Sequence, residues 1–176
     1  MLKTCGKNCV IVFDGYPDEP TTKDTTHIRR KSTKAGRFVN ITSHMKFNMS
    51  KKLFLSVLKN KNHSNAMLTQ YINDGNTGLI KAIQENGDAH YLIVKTAVER
   101  SNVNDIVVIS VDTDVLVLLL YHTNPSCHDI FLTSESASSS KLPPKCWDIH
   151  KTRTTLGDNV CENILQIHAI LGCDTT

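Results

Sequence analysis

The chain has 176 residues, 40% of them hydrophobic, and a formal net charge of +3, with a calculated pI near 8.5. That content suffices for one ordinary core and reads as a single domain, while the mild basicity permits a nucleic-acid partner without requiring one. The longest apolar run, Val115 to Tyr121, is far short of a membrane span, and Cys9 to Phe13 is too short for a signal-peptide core, so membrane and secretory classes are excluded and an intracellular protein, nuclear or cytoplasmic, is expected.

Six cysteines (Cys5, Cys9, Cys127, Cys146, Cys161 and Cys173) contain no C-x-x-C pair, so zinc-finger and zinc-ribbon spacing is absent. Reduced intracellular thiols are expected. The first apolar run, CVIVF, has the character of a buried strand and ends in Asp14-Gly15, where glycine permits a sharp turn. Pro17 and Pro20 mark a loop. Lys23 to Arg37 then carries six of the Lys and Arg residues against one acid. Residues 21–38 permit an exposed basic helix stopped at Gly36, and 39–49 read as loop.

Ser50 to Asn60 has apolar residues at 53, 54, 57 and 58, which is helical spacing, and a second helix is expected from Asn65 to about Asn73. Gly75 and Gly78 break it. The following LIKAIQENGD is ambiguous between strand and helix. Asp88 to Arg100 reads as a helix with Asp88 in its first turn, and Ile106 to Val111 as a strand buried on both faces. Asp112-Thr113-Asp114 follows, and residues 115–122 start a helix although VLVLLLY is equally compatible with a strand. Ile130 to Thr133 is a strand, SESASSSKLPPK a loop, and Trp147 to His150 an edge strand. Gly157 turns into a last helix capped by Asp158 or Asn159, which closes on Leu171-Gly172-Cys173-Asp174.

Strands alternating with helices imply an α/β fold, a mostly parallel sheet with helices on both faces. Acids recur at element ends: Asp14, Asp88, the pair Asp112/Asp114, and Asp174. A lone Asp after a strand is ordinarily a turn or helix cap. Two carboxylates separated by one residue are different. Each raises the other's pKa unless a cation neutralises them, and ligands of open α/β sheets bind beyond the carboxyl ends of the strands. The D-x-D pair therefore reads as half of a divalent-metal site, with a capped strand-to-helix turn as the plainer alternative.

VFDG, an acid opening a helix, a strand ending in D-x-D, and a hydrophobic helix ending in LGCD together resemble the flap endonuclease/5′-exonuclease branch of the PIN-like nucleases, over roughly residues 9–176. The chain resembles more closely still a group of animal proteins of that superfamily that carry VFDGY, DTDxLVLLLY and GCDTT. The resemblance implies a PIN-like domain over 1–176, a fragment truncated at both ends and lacking its N-terminal strand, with 21–49 as a basic, loop-rich insertion. It implies two ions, Mg²⁺ or Mn²⁺, ligated by Asp112, Asp114 and Asp174, with Asp88 ligating directly or through water and Asp14 positioning an ion or the substrate phosphate. Catalytic roles fall on Asp14, Asp88, Asp112, Asp114 and Asp174.

This sequence departs from that pattern twice. His90 stands where related sequences have the second acid of the helix-start pair; imidazole can ligate a metal, but the exchange weakens Mg²⁺ more than Mn²⁺. The family's N-terminal acid has no counterpart, since none of the thirteen residues before Asp14 is acidic.

The chemistry implied is metal-assisted phosphodiester hydrolysis of DNA or RNA without sequence specificity. Lys23, Arg29, Arg30, Lys31, Lys34 and Arg37 are the candidates for phosphate contacts; a solvated basic face is the plainer account. Tyr16 and Phe38 are the only rings nearby, which does not support a stacking platform. His168, inside the last apolar helix, reads as a core or helix-face histidine, and Cys173 as a small buried residue. The competing function is a catalytically impaired PIN-like fold that binds nucleic acid or protein. A phosphate-binding NTPase is disfavoured, because the chain contains no G-x-x-x-x-G-K-[ST] loop.

Overall fold

The structure, a computed structural model, describes residues 8–15, 36–42, 45–46, 48–75, 80–134 and 145–171. The chain is mixed α/β and divides into two compact units, Met1–Ala89 and His90–Thr176.

In the first unit β1 (Cys9–Phe13) pairs in parallel with β2 (Ile80–Gln84), with Cys9 opposite Ile80 and Phe13 opposite Gln84. Pairing with β1 thus resolves IKAIQ, within the ambiguous stretch, as a strand. Between them run α1 (Lys51–Leu55) and α2 (Leu58–Asp74). Ser50 caps α1, its hydroxyl accepting from the Leu53 N–H at 3.3 Å. The expected helices over Ser50–Asn60 and from Asn65 are corrected here: the break falls at Ser56-Val57, and everything from Leu58 to Asp74 is one helix.

Two local facts set that break. Val57 is extended, with φ −101° and ψ 118°, and Asn60 is fully buried just beyond it. The Asn60 amide accepts from the Val39 N–H at 2.9 Å and donates to the carbonyls of Arg37 and Phe54, each at 3.0 Å. A buried amide is tolerated only when its groups are paired, and here the pairing fastens the 37–39 segment to the turn between helices. At the other end of α2, Asn73 engages both backbone groups of Ala82, accepting at 2.9 Å and donating at 3.0 Å.

Gly15 is buried, and its N–H donates to the Gly87 carbonyl at 3.0 Å. A Cβ there would overlap the carbonyl of Glu85. Glycine is needed for this close approach of two turns, whereas the sequence suggested a sharp turn as the reason.

The second unit begins within α3 (Ala89–Ser101) and continues through β3 (Ile106–Ile109), α4 (Thr113–His122), β4 (Ile130–Thr133), β5 (Cys146–Asp148), α5 (Ile149–Leu156) and α6 (Asp158–Leu171). β3 and β4 are parallel, joined through α4, and β5 runs antiparallel on the far side of β4. The core gathers Val94 and Ala97 of α3, Val108, Val115, Leu119 and Leu120 of β3 and α4, and Ile130, Leu132 and Ile149. Burial explains why VLVLLLY is helical despite its β-branched residues: Val115 and Leu119 are both inaccessible, so packing outweighs propensity.

β3 is not buried on both faces as its composition suggested. Val108 is buried, but Val107 is 63% and Val111 85% exposed. The apolar run is covered on one side only. The expected strand over Trp147–His150 also ends early, because Asp148 caps α5 by accepting from the Lys151 N–H at 2.9 Å. That helix, IHKTRTTL, is poor in strong helix formers and was not evident from sequence. Ile149 anchors it in the core, and Arg153 donates to the carbonyl of Leu120 at the C-terminal end of α4, where a cation complements the helix dipole. Gly157, at φ +85°, then makes the turn into α6 that an L side chain would resist.

The basic residues up to Lys34 and the serine-rich loop at 135–144 lie outside the described residues. No helix among the described residues is long and apolar enough to cross a membrane.

Candidate metal centre

The second unit brings three of the expected residues together: His90, Asp112 and Asp114 offer ligand atoms that all lie within 4.8 Å of one another. His90 stands in the first turn of α3. Asp112 is the N-cap of α4 and Asp114 lies in that helix's first turn, just past the carboxyl end of β3. The strand ends where Ser110 Oγ accepts from the Asp112 N–H at 3.2 Å, and Asp112 Oδ1 then accepts from the Asp114 N–H at 3.0 Å. The D-x-D spacing is thus also a helix-capping geometry, and the positive end of α4 favours both carboxylates.

Each carboxylate has one oxygen anchored in the protein and one turned toward His90. Asp112 Oδ2 lies 3.0 Å from His90 Nε2, and Asp114 Oδ2 lies 4.0 Å from His90 Nδ1. Asp114 Oδ1 accepts from His168 Nε2 at 2.9 Å. The histidines are each 23% exposed, Asp114 39% and Asp112 43%. The cluster is thus partly open to solvent, yet its side chains are held by partners.

His168 is the partnered helix-face histidine that the sequence suggested; its partner, Asp114, is what the sequence left unnamed. Its apolar neighbours in α6 suggested a core or helix-face position, and 54 residues separate it from Asp114. The available signal was a polar ring interrupting NILQIHAIL. It carries no hint of its partner.

The other candidates are arranged as follows. Asp14 is exposed at the end of β1; its Oδ1 accepts from the Ala89 N–H at 3.0 Å and its carbonyl from Asn65 Nδ2 at 2.8 Å. It therefore caps the start of α3 across 75 residues of sequence. Asp88 is exposed immediately before α3, one residue earlier than the expected first turn, and Arg37 is exposed with its carbonyl bound by Asn60. Asp174, Cys173, Lys23, Arg29, Arg30, Lys31 and Lys34 lie outside the described residues.

The donor set can be tested for fit. Two carboxylates and one imidazole from two helix starts are hard and borderline donors, which suits a divalent ion. His90 Nε2 and Asp112 Oδ2 already face one another at 3.0 Å, so the imidazole and the carboxylate are presented to the same point. No family model matches the chain, and no curated protein and no solved structure is significantly similar to it.

Proposed function

We propose that the chain is a PIN-like nuclease domain that hydrolyses phosphodiester bonds of nucleic acid with a divalent metal, Mg²⁺ or Mn²⁺. The observation that carries this reading is the convergence of His90, Asp112 and Asp114 within 4.8 Å, beyond the carboxyl end of a parallel strand. The order of acidic motifs along the sequence supports it independently.

In this reading a bound ion would polarise a phosphoryl oxygen and supply a nucleophile at neutral pH. The protein's own part is positional. Asp112 and Asp114 present negative oxygens held by the α4 N-terminus and by His168, and His90 presents a nitrogen from the start of α3. Lys23, Arg29, Arg30, Lys31, Lys34 and Arg37 would neutralise backbone phosphates without reading sequence.

A second reading, a non-catalytic fold that binds nucleic acid or protein, is favoured by Asp14. Its Oδ1 is committed to capping α3, so one of the expected acids already has a structural task. The deciding experiment is cleavage of single-stranded, flap and duplex substrates, DNA and RNA, with Mg²⁺ or Mn²⁺. Metal-dependent cleavage lost in Asp112→Asn/Asp114→Asn supports the nuclease. Cleavage unaffected by that double substitution would remove it, and binding without cleavage would favour the second reading.

A further inference from the structure

We propose that His90, Asp112 and Asp114 form a centre for one divalent transition-metal ion, Zn²⁺ or Mn²⁺, favoured over Mg²⁺ by His90 and oriented through Asp114 by His168. This rests on the metal-dependent reading above and narrows it, because the resemblance to flap nucleases implies a carboxylate-rich site for two hard ions. Among the described residues the converging set is one imidazole and two carboxylates, which does not match such a site.

Mg²⁺ demands near-octahedral oxygen coordination and gives up its waters reluctantly. Here one of the three converging ligands is an imidazole, and His90 Nε2 sits as close as 3.0 Å to Asp112 Oδ2. Imidazole nitrogen suits Zn²⁺, and Mn²⁺, though itself fond of oxygen ligands, accepts a nitrogen more readily than Mg²⁺ does. Three protein ligands with remaining positions open to water is also the pattern of hydrolytic zinc centres. Both carboxylates are pre-oriented: Asp112 Oδ1 is taken by the Asp114 N–H, and Asp114 Oδ1 by His168. In each case the second oxygen is left to face His90.

His168 is a positioning residue. It donates to Asp114 at 2.9 Å and is absent from the group whose ligand atoms all lie within 4.8 Å of one another. A hydrogen bond to the outer oxygen of a ligating carboxylate fixes its rotamer and its basicity, and loss of such a partner typically weakens metal binding by about 10–100-fold.

The test is binding of Mn²⁺, Zn²⁺ and Mg²⁺ to the full chain by titration calorimetry, with Mn²⁺ electron paramagnetic resonance to count ions. The expected result is one Mn²⁺ per chain, bound more tightly than Mg²⁺ and less tightly than Zn²⁺, and lost in Asp112→Asn/Asp114→Asn. His90→Asp should narrow the preference by raising Mg²⁺ affinity. His168→Ala should weaken Mn²⁺ by about 10–100-fold, with part of the loss recovered in His168→Gln, which keeps an N–H donor. Equal affinity for Mg²⁺ and Mn²⁺ in the wild-type chain would overturn the inference and leave the metal-dependent reading standing. Failure of all three ions to bind would remove both.

Discussion

Asp112 serves two partners at once: Oδ1 accepts from the Asp114 N–H at 3.0 Å to cap α4, while Oδ2 lies 3.0 Å from His90 Nε2. The two tasks respond differently to substitution. Asn is as good an N-cap as Asp, whereas Ala is not. Asp112→Asn should therefore keep the thermal stability of the chain while abolishing divalent-metal binding. Asp112→Ala should abolish binding and also cost about 0.5–2 kcal/mol of stability. Thermal denaturation alongside calorimetric titration separates the two. Metal affinity retained in Asp112→Asn would show that the carboxylate is only a cap.

Metal binding at this centre should weaken as pH falls. A ligating imidazole must be neutral and a ligating carboxylate ionised, so protons compete with the ion for His90 and for both aspartates. Mn²⁺ affinity measured by calorimetry across a series of buffer pH values is the check. Affinity that does not change with pH would place the ion elsewhere.

Gly15→Ala should destabilise the first unit. Its Cβ would meet the backbone carbonyl of Glu85, and a backbone atom cannot rotate aside as a side chain can. Overpacking of this kind costs about 1–3 kcal/mol. Hydrogen exchange at β1 and β2 amides is the measurement, and unchanged protection there would show that the two turns can separate freely.

Asn60→Leu tests the polar hub of the first unit. The substitution keeps bulk but leaves the Val39 N–H without the amide oxygen that now accepts from it, while the Phe54 carbonyl keeps the Val57 N–H. Each buried backbone group left unsatisfied costs about 1–3 kcal/mol. Urea denaturation should show a clear fall in midpoint. A neutral result would mean that water replaces the amide.

Much of the element order was legible in the chain itself. CVIVF, Ile130 to Thr133 and the helix after Gly157 each follow from a local pattern, and D-x-D at a strand end marked the centre of the candidate site before any geometry was known. Periodicity could not decide VLVLLLY or LIKAIQ, because each short apolar run is compatible with either state. Burial of Val115 and Leu119 and pairing with β1 decided them. Capping chemistry relocated the remaining boundaries. Asp148 opens α5 where a strand was expected, and buried Asn60 lies just past a break that apolar spacing did not reveal.

The sequence by itself determined which residue types are available for chemistry: a close acidic pair after an apolar strand, a histidine two residues after Asp88, and glycines at the turns. Local spacing carries that information because Asp112 and Asp114 are neighbours in any fold. Only the tertiary structure decided which groups answer them. His90 arrives from α3 and His168 from α6, 54 residues beyond Asp114, while Asp14 turns to the N-terminus of α3. Such pairings depend on where packed helices begin and end, and no window of sequence contains both partners.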